Sequence, residues 1–576
     1  MEKRFFAAFA LSVLILVGWS FVSKRYFPPP SQQGIVDTPA PGAPAPPTQV
    51  APAAAAAAAV PQATSAASAA VVPPSGLAAV AASAEQDVRV DTDLAEVVLT
   101  NKGGRVKSWR LKQFASEGRP VDVIGVAARR EDQLPLALVF DDRAILPGIN
   151  AMLFDVSRTD EQKGATRVVF HWSDGAGSDV RKTFDFRHGD PMVGLDVVTV
   201  DRGRAVTPRL TWGPGLEVED PKHRSNTYYN GQALLYDGTT VTRFAKRKID
   251  QPIVIPETPR MAWAGLEDQY FTALVLPEGG RGAATIAPYA QSALAVPGKS
   301  LPDDINTAPV IAIALTQGKA ELFVGPKNFG LLTSVGHGLE KAIWFSSYQL
   351  IYACAKPVFL ALRFVHDHWV ANYGVAIVLL TLALRIVLFP LNQFSMVKMR
   401  RVAGEMQRVQ PKLKAIQAKY KKSKDPEARA KMNAETMELY KREGVNPFGG
   451  VSGCLPLLIQ MPILWAFFDV LTATVELRGA PFFGWIRDLT HPDPFYITPI
   501  LMGASMFVQQ KMTPTANVDP QQQRMMLFMP VIFTVMFGSL PSGLVLYYFV
   551  NNLLGIGQQW LVNRHIARLE AAPSKA

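Results

Sequence analysis

Six long apolar runs dominate the hydrophobic pattern of the chain, one near the N-terminus and five in the C-terminal part. The first run covers residues 5–22. The other five cover residues 373–391, 454–472, 495–510, 525–540 and 543–562. Each approaches the length of about 20 residues that an α-helix needs to cross about 30 Å of hydrocarbon. The pattern therefore predicts a polytopic α-helical membrane protein with six spans.

The N-terminal run predicts an uncleaved signal anchor over residues 1–27. Lys3 and Arg4 precede the run, and no small-residue cleavage site follows it directly. Cleavage farther on, in an alanine-rich stretch, is the alternative. Residues 28–87 consist mainly of Pro, Ala and Ser. Such a composition cannot bury a core, so this segment is predicted to be an extended tether.

A different pattern covers residues 88–330, where short β-branched runs alternate with Gly, Pro and Asp. Two such runs lie on either side of Lys102, Gly103 and Gly104, which predicts a β-hairpin with its turn at the glycines. About 240 residues of this pattern predict one large antiparallel β-sandwich.

Residues 345–369 predict an amphipathic helix that lies flat in the membrane interface, with Pro357 as its start or as a kink. Four polar residues share one face of this helix: Gln349, Lys356, Arg363 and Asp367. His366 and His368 have no third ligand nearby, so no metal site is predicted.

Residues 393–445 predict an antiparallel helical hairpin. Apolar residues recur there at intervals of three and four, as in a heptad seam: Met399, Val402, Met406, Val409, Leu413, Ile416 and Tyr420. Pro411 should kink or delay the first helix. Asp425 is expected to cap the second helix, with Pro426 at its first position and Gly444 at its end.

The positive charges of the chain, whose formal net charge is +11, set the predicted topology. Lys and Arg outnumber Asp and Glu in the hairpin, so the positive-inside rule places it in the cytoplasm. Residues 563–576 form a basic tail on the same side. Six spans then place both termini in the cytoplasm and the β-domain outside it.

Two interpretations of the basic hairpin stay open. Its Lys and Arg either form a solvated face that signals topology, or form a docking surface for ribosomal RNA, a targeting factor or anionic lipid. No aromatic residues are interleaved to stack on bases. The pattern does not predict DNA binding.

Arg385 is a single charge inside the apolar segment TLALRIVLFPL. An arginine at the centre of a span costs about 2.5–3.5 kcal/mol unless a partner, water or snorkelling relieves it. Asp469 on the next span is predicted to lie about 12 Å away in depth, too far for a direct pair. The alternatives are a water-filled groove within the bundle and snorkelling to the interface. Leu380 and Val387, on the opposite face, are expected to contact lipid.

Five segments resemble one known family, in order and at matching spacing: GVNPFGG with CLPLLIQMPIL, APFFGWIRDLTHPDPFYITPILMG, DPQQQRMMLFMPVIFTVMFG and PSGLVLYYFVNNLLGIGQQW. The family is that of the membrane protein insertases YidC, Oxa and Alb, and the anchor, tether and β-domain resemble its Gram-negative form. The resemblance implies that Arg385, Thr381 and Tyr496 contact substrate. Val451, Ser452 and Gly453, which depart from the family pattern, leave the start of the third span open by a few residues.

The resemblance implies insertion of nascent proteins into the bacterial inner membrane, alone or with the Sec translocon. The docking interpretation of the basic hairpin and tail adds the ribosome and a targeting factor or receptor as partners. No enzyme activity, cofactor or metal is expected. Cys354 and Cys454 both lie in the hydrophobic part, so no disulfide framework is predicted.

Other functional classes fit the residues less well. The chain has no GxxxxGK[ST] motif for ATP-driven transport. A small-solute transporter would be favoured by two similar halves, and no internal repeat is seen. A carbohydrate-active or carbohydrate-binding β-domain would rest on one acidic cluster: Glu217, Glu219, Asp220 and His223.

Overall fold

A computed structural model describes residues 78–571, with breaks at 117, 126–127, 130–131, 162–163, 217–230, 259, 296–305, 347, 421–425, 445–454 and 513–519. Several predicted features lie outside the described residues: the signal anchor, nearly all of the tether, the cluster from Glu217 to His223, the Asp425 cap and the Val451–Gly453 departure. The chain divides into two compact units, Met1–Gly325 and Pro326–Ala576.

The first unit is rich in β-structure and contains three sheets. The smallest sheet has four antiparallel strands in chain order, β1 (Asp87–Asp91), β2 (Ala95–Thr100), β3 (Arg105–Ser116) and β4 (Arg119–Asp122). The predicted hairpin is confirmed, because β2 pairs with β3 across a turn in which Gly103 and Gly104 have φ of 71° and 56°. These left-handed conformations favour glycine.

The largest sheet has ten strands in the order β13-β12-β15-β16-β19-β9-β8-β7-β6, with β10 paired to β9. Strands β6 to β9 form an antiparallel meander. The strands are β6 (Asp155–Asp160), β7 (Thr166–Ser173), β8 (Asp179–Phe186), β9 (Met192–Asp201), β10 (Arg204–Ala205), β12 (Gln232–Tyr236), β13 (Val241–Ala245), β15 (Trp263–Glu267), β16 (Phe271–Pro277) and β19 (Lys319–Pro326).

The third sheet has five antiparallel strands in the order β14-β17-β18-β11-β5. They are β5 (Leu138–Val139), β11 (Arg209–Trp212), β14 (Ile253–Thr258), β17 (Gly282–Pro288) and β18 (Pro309–Ala314). One hydrophobic core joins the three sheets, with Val97, Phe170 and Ile286 fully buried as examples from each. Where the sequence predicts one sandwich, the structure has three sheets around a common core.

The second unit is helical. Its helices are α1 (Phe329–Val335), α2 (Gln349–His368), α3 (Tyr373–Tyr420), α4 (Pro426–Arg442), α5 (Leu455–Ala473), α6 (Ile497–Met512), α7 (Pro520–Phe537) and α8 (Ser542–Ala571). Helix α8 packs on α3 and α6, α2 packs on α5 and α3, and α7 packs on α6. The five C-terminal apolar runs thus coincide with helices α3 and α5–α8.

Prolines lie in the interior of helices α2 and α3. Helix α2 begins at Gln349 and contains Pro357 in its interior, which excludes Pro357 as the start of the helix and leaves a kink there as the prediction. Helix α3 runs for 48 residues through Pro390 and Pro411, joining the span to the first helix of the hairpin. An interior proline removes one helical hydrogen bond and its ring crowds the preceding turn, so a kink at Pro411 stays a prediction.

The C-terminal half of α3 packs against helix α4, and the two are called the α3–α4 hairpin. Val409 and Leu439 are buried between the two helices. Further apolar side chains pack around this pair: Met406, Leu413, Ile416 and Tyr440. Gly444, just after α4, has φ of 65°. The heptad seam is therefore confirmed at these positions of α3, and the glycine stop is confirmed too.

Among the residues that the structure describes, one segment, Tyr373–Lys398, has the length and hydropathy to cross a membrane, with a mean hydropathy of 2.4. Gln460–Ala473 and Leu527–Phe537 are shorter apolar segments. Helix α7 exposes many large apolar side chains: Leu527, Phe528, Met529, Val531, Ile532, Val535 and Met536. An apolar surface of this extent is typical of protein that faces lipid or a protein partner.

Gly503 on α6 allows a close approach of α7. An ideal Cβ at Gly503 would overlap the Thr534 hydroxyl and lie 3.4 Å from the Pro530 carbonyl oxygen. We expect Gly503→Ala to lower the melting temperature of the detergent-solubilised protein, because overpacking costs about 1–3 kcal/mol. Gly404→Ala on α3 is the matched control, since nothing lies within 4 Å of its ideal Cβ. Equal melting temperatures for the two variants would contradict this role of Gly503.

Candidate functional site

Arg385 lies on the face of α3 that packs against α8. It follows Tyr373 by twelve residues, so it lies about 18 Å along the helix axis from the start of α3. Its Nη2 donates a hydrogen bond of 2.7 Å to the carbonyl oxygen of Asn551. Its Nε is buried and has no hydrogen-bond partner in the part of the chain that the structure describes. The charge is thus held inside the helical unit by a backbone acceptor.

Within the described residues, no carboxylate forms an ion pair with Arg385. Asp469 on α5 instead hydrogen-bonds with Ser346, which agrees with the expectation that Asp469 and Arg385 do not pair directly. A cation without a carboxylate partner keeps its capacity to attract an incoming anion.

Gly555 brings three helices together beside Arg385. An ideal Cβ on this α8 residue would lie 2.9 Å from Arg385 Nη2 and 2.7 Å from Nε2 of Gln509 on α6. Side chains from α3 and α6 therefore occupy the place that a side chain on α8 would take. Gln509 and Asn551 are polar residues within two of the predicted spans, whereas the sequence pattern gave Gly555 no role. The available signal was a small residue among large apolar ones, which often marks close helix contact.

Further polar groups are buried around this point. Asn552 Nδ2 donates to Ser505 Oγ at 3.3 Å, and Gln460 on α5 donates to the Tyr547 hydroxyl. Buried polar side chains of α3 and α8 continue this layer: Asn392, Ser395, Asn551, Gln558 and Gln559. A layer of hydrogen-bonding groups inside an apolar unit offers partners to polar segments that would otherwise enter hydrocarbon alone.

Thr381 lies one helical turn before Arg385, as the sequence predicts, but its side chain faces the interior. It is 1% exposed, and its hydroxyl donates to the Ile377 carbonyl oxygen at 2.6 Å. This hydroxyl–backbone bond is common for threonine within helices. In this conformation Thr381 supports the packing of α3 and does not present its hydroxyl beside Arg385.

Tyr496 precedes α6 and is far from Arg385. Its side chain is 57% exposed, and its backbone is left-handed, with φ of 56°. The ring lies next to Gly538 after α7, where an ideal Cβ would be 3.1 Å from Tyr496 Cδ1. Tyr496 precedes Gln509 by thirteen residues, which is about 20 Å along α6. The structure therefore does not bring Tyr496 and Arg385 together. The two residues lie at different depths of the helical unit.

Asp493 holds the segment that carries Tyr496. Its Oδ2 accepts from the backbone N–H and the hydroxyl of Thr498, both at 2.7 Å. Its Oδ1 accepts from the Phe495 N–H and from Trp485 Nε1, both at 3.0 Å. The carboxylate thus satisfies donors at the start of α6, where helical N–H groups lack internal partners.

The prediction that Leu380 faces lipid is wrong. Leu380 is 6% exposed, whereas Val387, predicted to face the same way, is 71% exposed. Near its N-terminus α3 is covered on several sides, since Ala376 and Ile377 are buried as well. The helix packs on α2, α5 and α8. These contacts bury its first turns, so the side of α3 that is open to lipid begins farther along the helix, where Val387 is exposed.

Comparisons with known proteins cover both units. Residues 364–569 match the family model described as 60Kd inner membrane protein, and residues 87–361 match the model of the YidC periplasmic domain. The chain is similar to the membrane protein insertase YidC of Syntrophus aciditrophicus (strain SB), with 33% identity over 98% of this chain and 100% of the relative. The YidC of Geobacter metallireducens is 34% identical over 99% of this chain and 100% of the relative.

Among solved structures, the active YidC insertase with its first transmembrane domain resolved is 19% identical. The match covers 83% of this chain and 93% of that structure, with a TM-score of 0.34. The family models and the full-length relatives agree on one assignment: the chain belongs to the YidC family of membrane protein insertases.

Proposed function

We propose that this protein inserts nascent proteins into the bacterial inner membrane and assists their folding, alone or with the Sec translocon. Membership of the YidC family supports this function. The observation that carries it is Arg385, a charge placed among apolar helices and held by a backbone carbonyl, with no carboxylate pairing it in the described part of the chain. No covalent bond is made or broken.

In this proposal the site acts by attraction and by offering polar partners. Arg385 and the polar layer around it receive acidic or polar parts of an incoming segment, which lowers the cost of moving them into the membrane. The exposed apolar side chains of α6 and α7 contact the hydrophobic part of that segment and pass it sideways into lipid. Tyr496 contacts the substrate at the other depth, and Thr381 supports α3 beside Arg385.

The proposed topology has six spans, with both termini and the α3–α4 hairpin in the cytoplasm. The match to a periplasmic-domain model supports placing the β-rich unit in the periplasm. The excess of Lys and Arg supports the cytoplasmic side for the hairpin. The proposed domains are the anchor (1–27), tether (28–87), periplasmic domain (88–330), interfacial helix (345–369), core (373–562) and basic tail (563–576). The ribosome and a targeting factor or receptor are proposed partners of the hairpin and tail.

Helix α2 has the surface expected of an interfacial helix. Arg363 Nε pairs with Asp367 Oδ2 at 3.1 Å on its polar face. Exposed apolar side chains flank that face: Tyr352, Leu360 and Phe364. Apolar rings beside charged groups suit the boundary between headgroups and acyl chains. This arrangement supports the proposal that α2 lies along the membrane surface.

Proteoliposomes that contain only this purified protein test the proposed function. A small single-span substrate, added to them after its synthesis is complete and nucleotides have been removed, should become protected from protease without ATP or the Sec translocon. Empty liposomes of the same lipids are the control. Protection equal to that of empty liposomes contradicts the proposal, and turnover of sugars by the same preparation would favour the carbohydrate alternative.

The water-filled groove makes a separate prediction. In a background without Cys354 and Cys454, cysteines at 385 and at 393 should react with a membrane-impermeant thiol reagent added from the cytoplasmic side. Gln393 is informative because its Oε1 is buried without a hydrogen-bond partner among the described residues, and its replacement leaves Arg385 in place. A buried polar atom of this kind is normally satisfied by water.

Val387→Cys is the control, since Val387 faces outward from the helices and should stay unlabelled in lipid. Labelling at 385 from the periplasmic side alone would show that the groove opens to the periplasm and not to the cytoplasm. An absence of labelling from either side would favour snorkelling of Arg385.

A further inference from the structure

One helical turn of α8 holds the Arg385 guanidinium in place. In an α-helix the carbonyl oxygen of Asn551 accepts the N–H of Gly555, four residues later. Arg385 Nη2 donates to this same carbonyl oxygen, at 2.7 Å. The guanidinium therefore lies directly on the turn between Asn551 and Gly555.

A side chain at position 555 would cover that turn. The Cα–Cβ bond of a helical residue tilts toward the N-terminus, so a side chain at position 555 lies over the preceding turn. An ideal Cβ at Gly555 would lie 2.9 Å from Arg385 Nη2 and 3.6 Å from its Cζ. Gln509 Nε2 would be still closer, at 2.7 Å. All three of these nearest atoms belong to side chains, so what a larger residue would displace is the guanidinium and the amide.

We propose that Gly555 is the positioning residue of the insertion site: by lacking a side chain, it lets the Arg385 guanidinium rest on the Asn551 carbonyl beside Gln509, and so fixes where acidic segments are received. This inference rests on the proposed function. Asn551 fixes one nitrogen of the guanidinium, and Gly555 keeps open the space that the guanidinium fills. A larger residue at 555 moves the charge away from α8, and the preference for acidic segments falls.

The test compares insertion of two versions of one substrate in proteoliposomes, one with acidic residues in the translocated segment and one with their amides. Gly555→Leu should lower the ratio of the acidic to the neutral insertion rate by about as much as Arg385→Ala does. Gly557→Leu is the matched control on the same helix, because nothing lies within 4 Å of its ideal Cβ. This control should keep the wild-type ratio.

The double variant distinguishes positioning from packing. If Gly555 acts through Arg385, adding Gly555→Leu to Arg385→Ala should change the ratio no further, within about twofold. Equal loss for the acidic and neutral substrates, or losses that multiply in the double variant, would show a packing role and overturn the proposal.

A second measurement is independent of insertion. Gly555→Leu should lower the melting temperature in detergent when Arg385 is present, and lower it less in the Arg385→Ala background, where no guanidinium is displaced. Equal decreases in both backgrounds overturn the inference about Gly555. If this coupling is present while Arg385→Ala leaves the rate ratio unchanged, the electrostatic part of the proposed function fails and the positioning of Arg385 by Gly555 stands.

Discussion

Replacing Arg385 with alanine should slow insertion most for substrates whose translocated segments carry Asp or Glu. A hydrogen bond to a charged group contributes about 1.5–3 kcal/mol. Because about 1.4 kcal/mol corresponds to a factor of ten in rate, the expected loss for an acidic segment is about tenfold to a hundredfold. The same segment with Asn and Gln in place of its acids should lose much less. Initial rates of protease protection in proteoliposomes measure the effect.

Arg385→Lys should retain much of the activity on acidic segments. Lysine keeps the positive charge, although its ammonium lacks the planar set of donors with which arginine meets a carboxylate. Its amine can still donate to the carbonyl of Asn551, which is the contact that holds Arg385. A uniform loss across acidic and neutral substrates, or a lysine variant as slow as the alanine variant, would exclude attraction by charge as the role of Arg385.

Replacing Lys182 with methionine should strongly destabilise the β-rich unit. Lys182 on β8 is 0% exposed. Its Nζ donates to the carbonyl oxygens of Gly103, Gly104 and Leu136 at 2.7, 3.2 and 2.8 Å. The side chain thus ties the β2–β3 turn to the largest sheet. Methionine keeps most of the volume but leaves three buried carbonyls without this donor, which should cost roughly 3–5 kcal/mol.

Urea unfolding of a fragment of residues 78–325, followed by tryptophan fluorescence, measures the effect on the free energy of unfolding. Lys107→Met is the matched control, because Lys107 lies at the surface and pairs with Asp87. An exposed pair of this kind contributes about 0–1 kcal/mol. A Lys182→Met fragment as stable as the Lys107→Met fragment would show that the three hydrogen bonds contribute nothing net.

The stability of this unit should also depend on pH through Lys182. Burial lowers the pKa of Lys182 well below its ordinary value of 10.5. In the interval between the native pKa and 10.5 the unfolded chain binds the proton and the native unit does not. The free energy of unfolding should therefore rise with pH across this interval. The stability gained in this way is fully present above pH 10.5 and is lost as the pH falls through the native pKa of Lys182. The slope should be smaller for Lys182→Met; equal slopes would contradict the assignment to Lys182.

The sequence by itself determined the local elements, because each leaves a periodic or steric signal. Two adjacent glycines between β-branched runs located the β2–β3 turn, since left-handed backbone favours glycine. Apolar spacing of three and four located the seam of the α3–α4 hairpin. Long apolar runs located helices α3 and α5–α8, because the hydrophobic cost of leaving such runs in water is large, but α3 and α8 continue well beyond the ends of their runs.

Only the tertiary structure decided which neighbours these elements meet. Periodicity shows that Leu380 and Val387 share a side of α3, but the helices that cover one and leave the other exposed are distant in sequence. The partner of Arg385 is the backbone carbonyl of Asn551, and every residue type carries such a carbonyl, so no side-chain pattern reveals it. The importance of Gly555 is likewise a matter of space: its missing side chain matters because α3 and α6 place an arginine and a glutamine there. Lys182 lies in an ordinary alternating strand, and the three carbonyls that accept hydrogen bonds from its Nζ are brought to it only by the packing of separate segments.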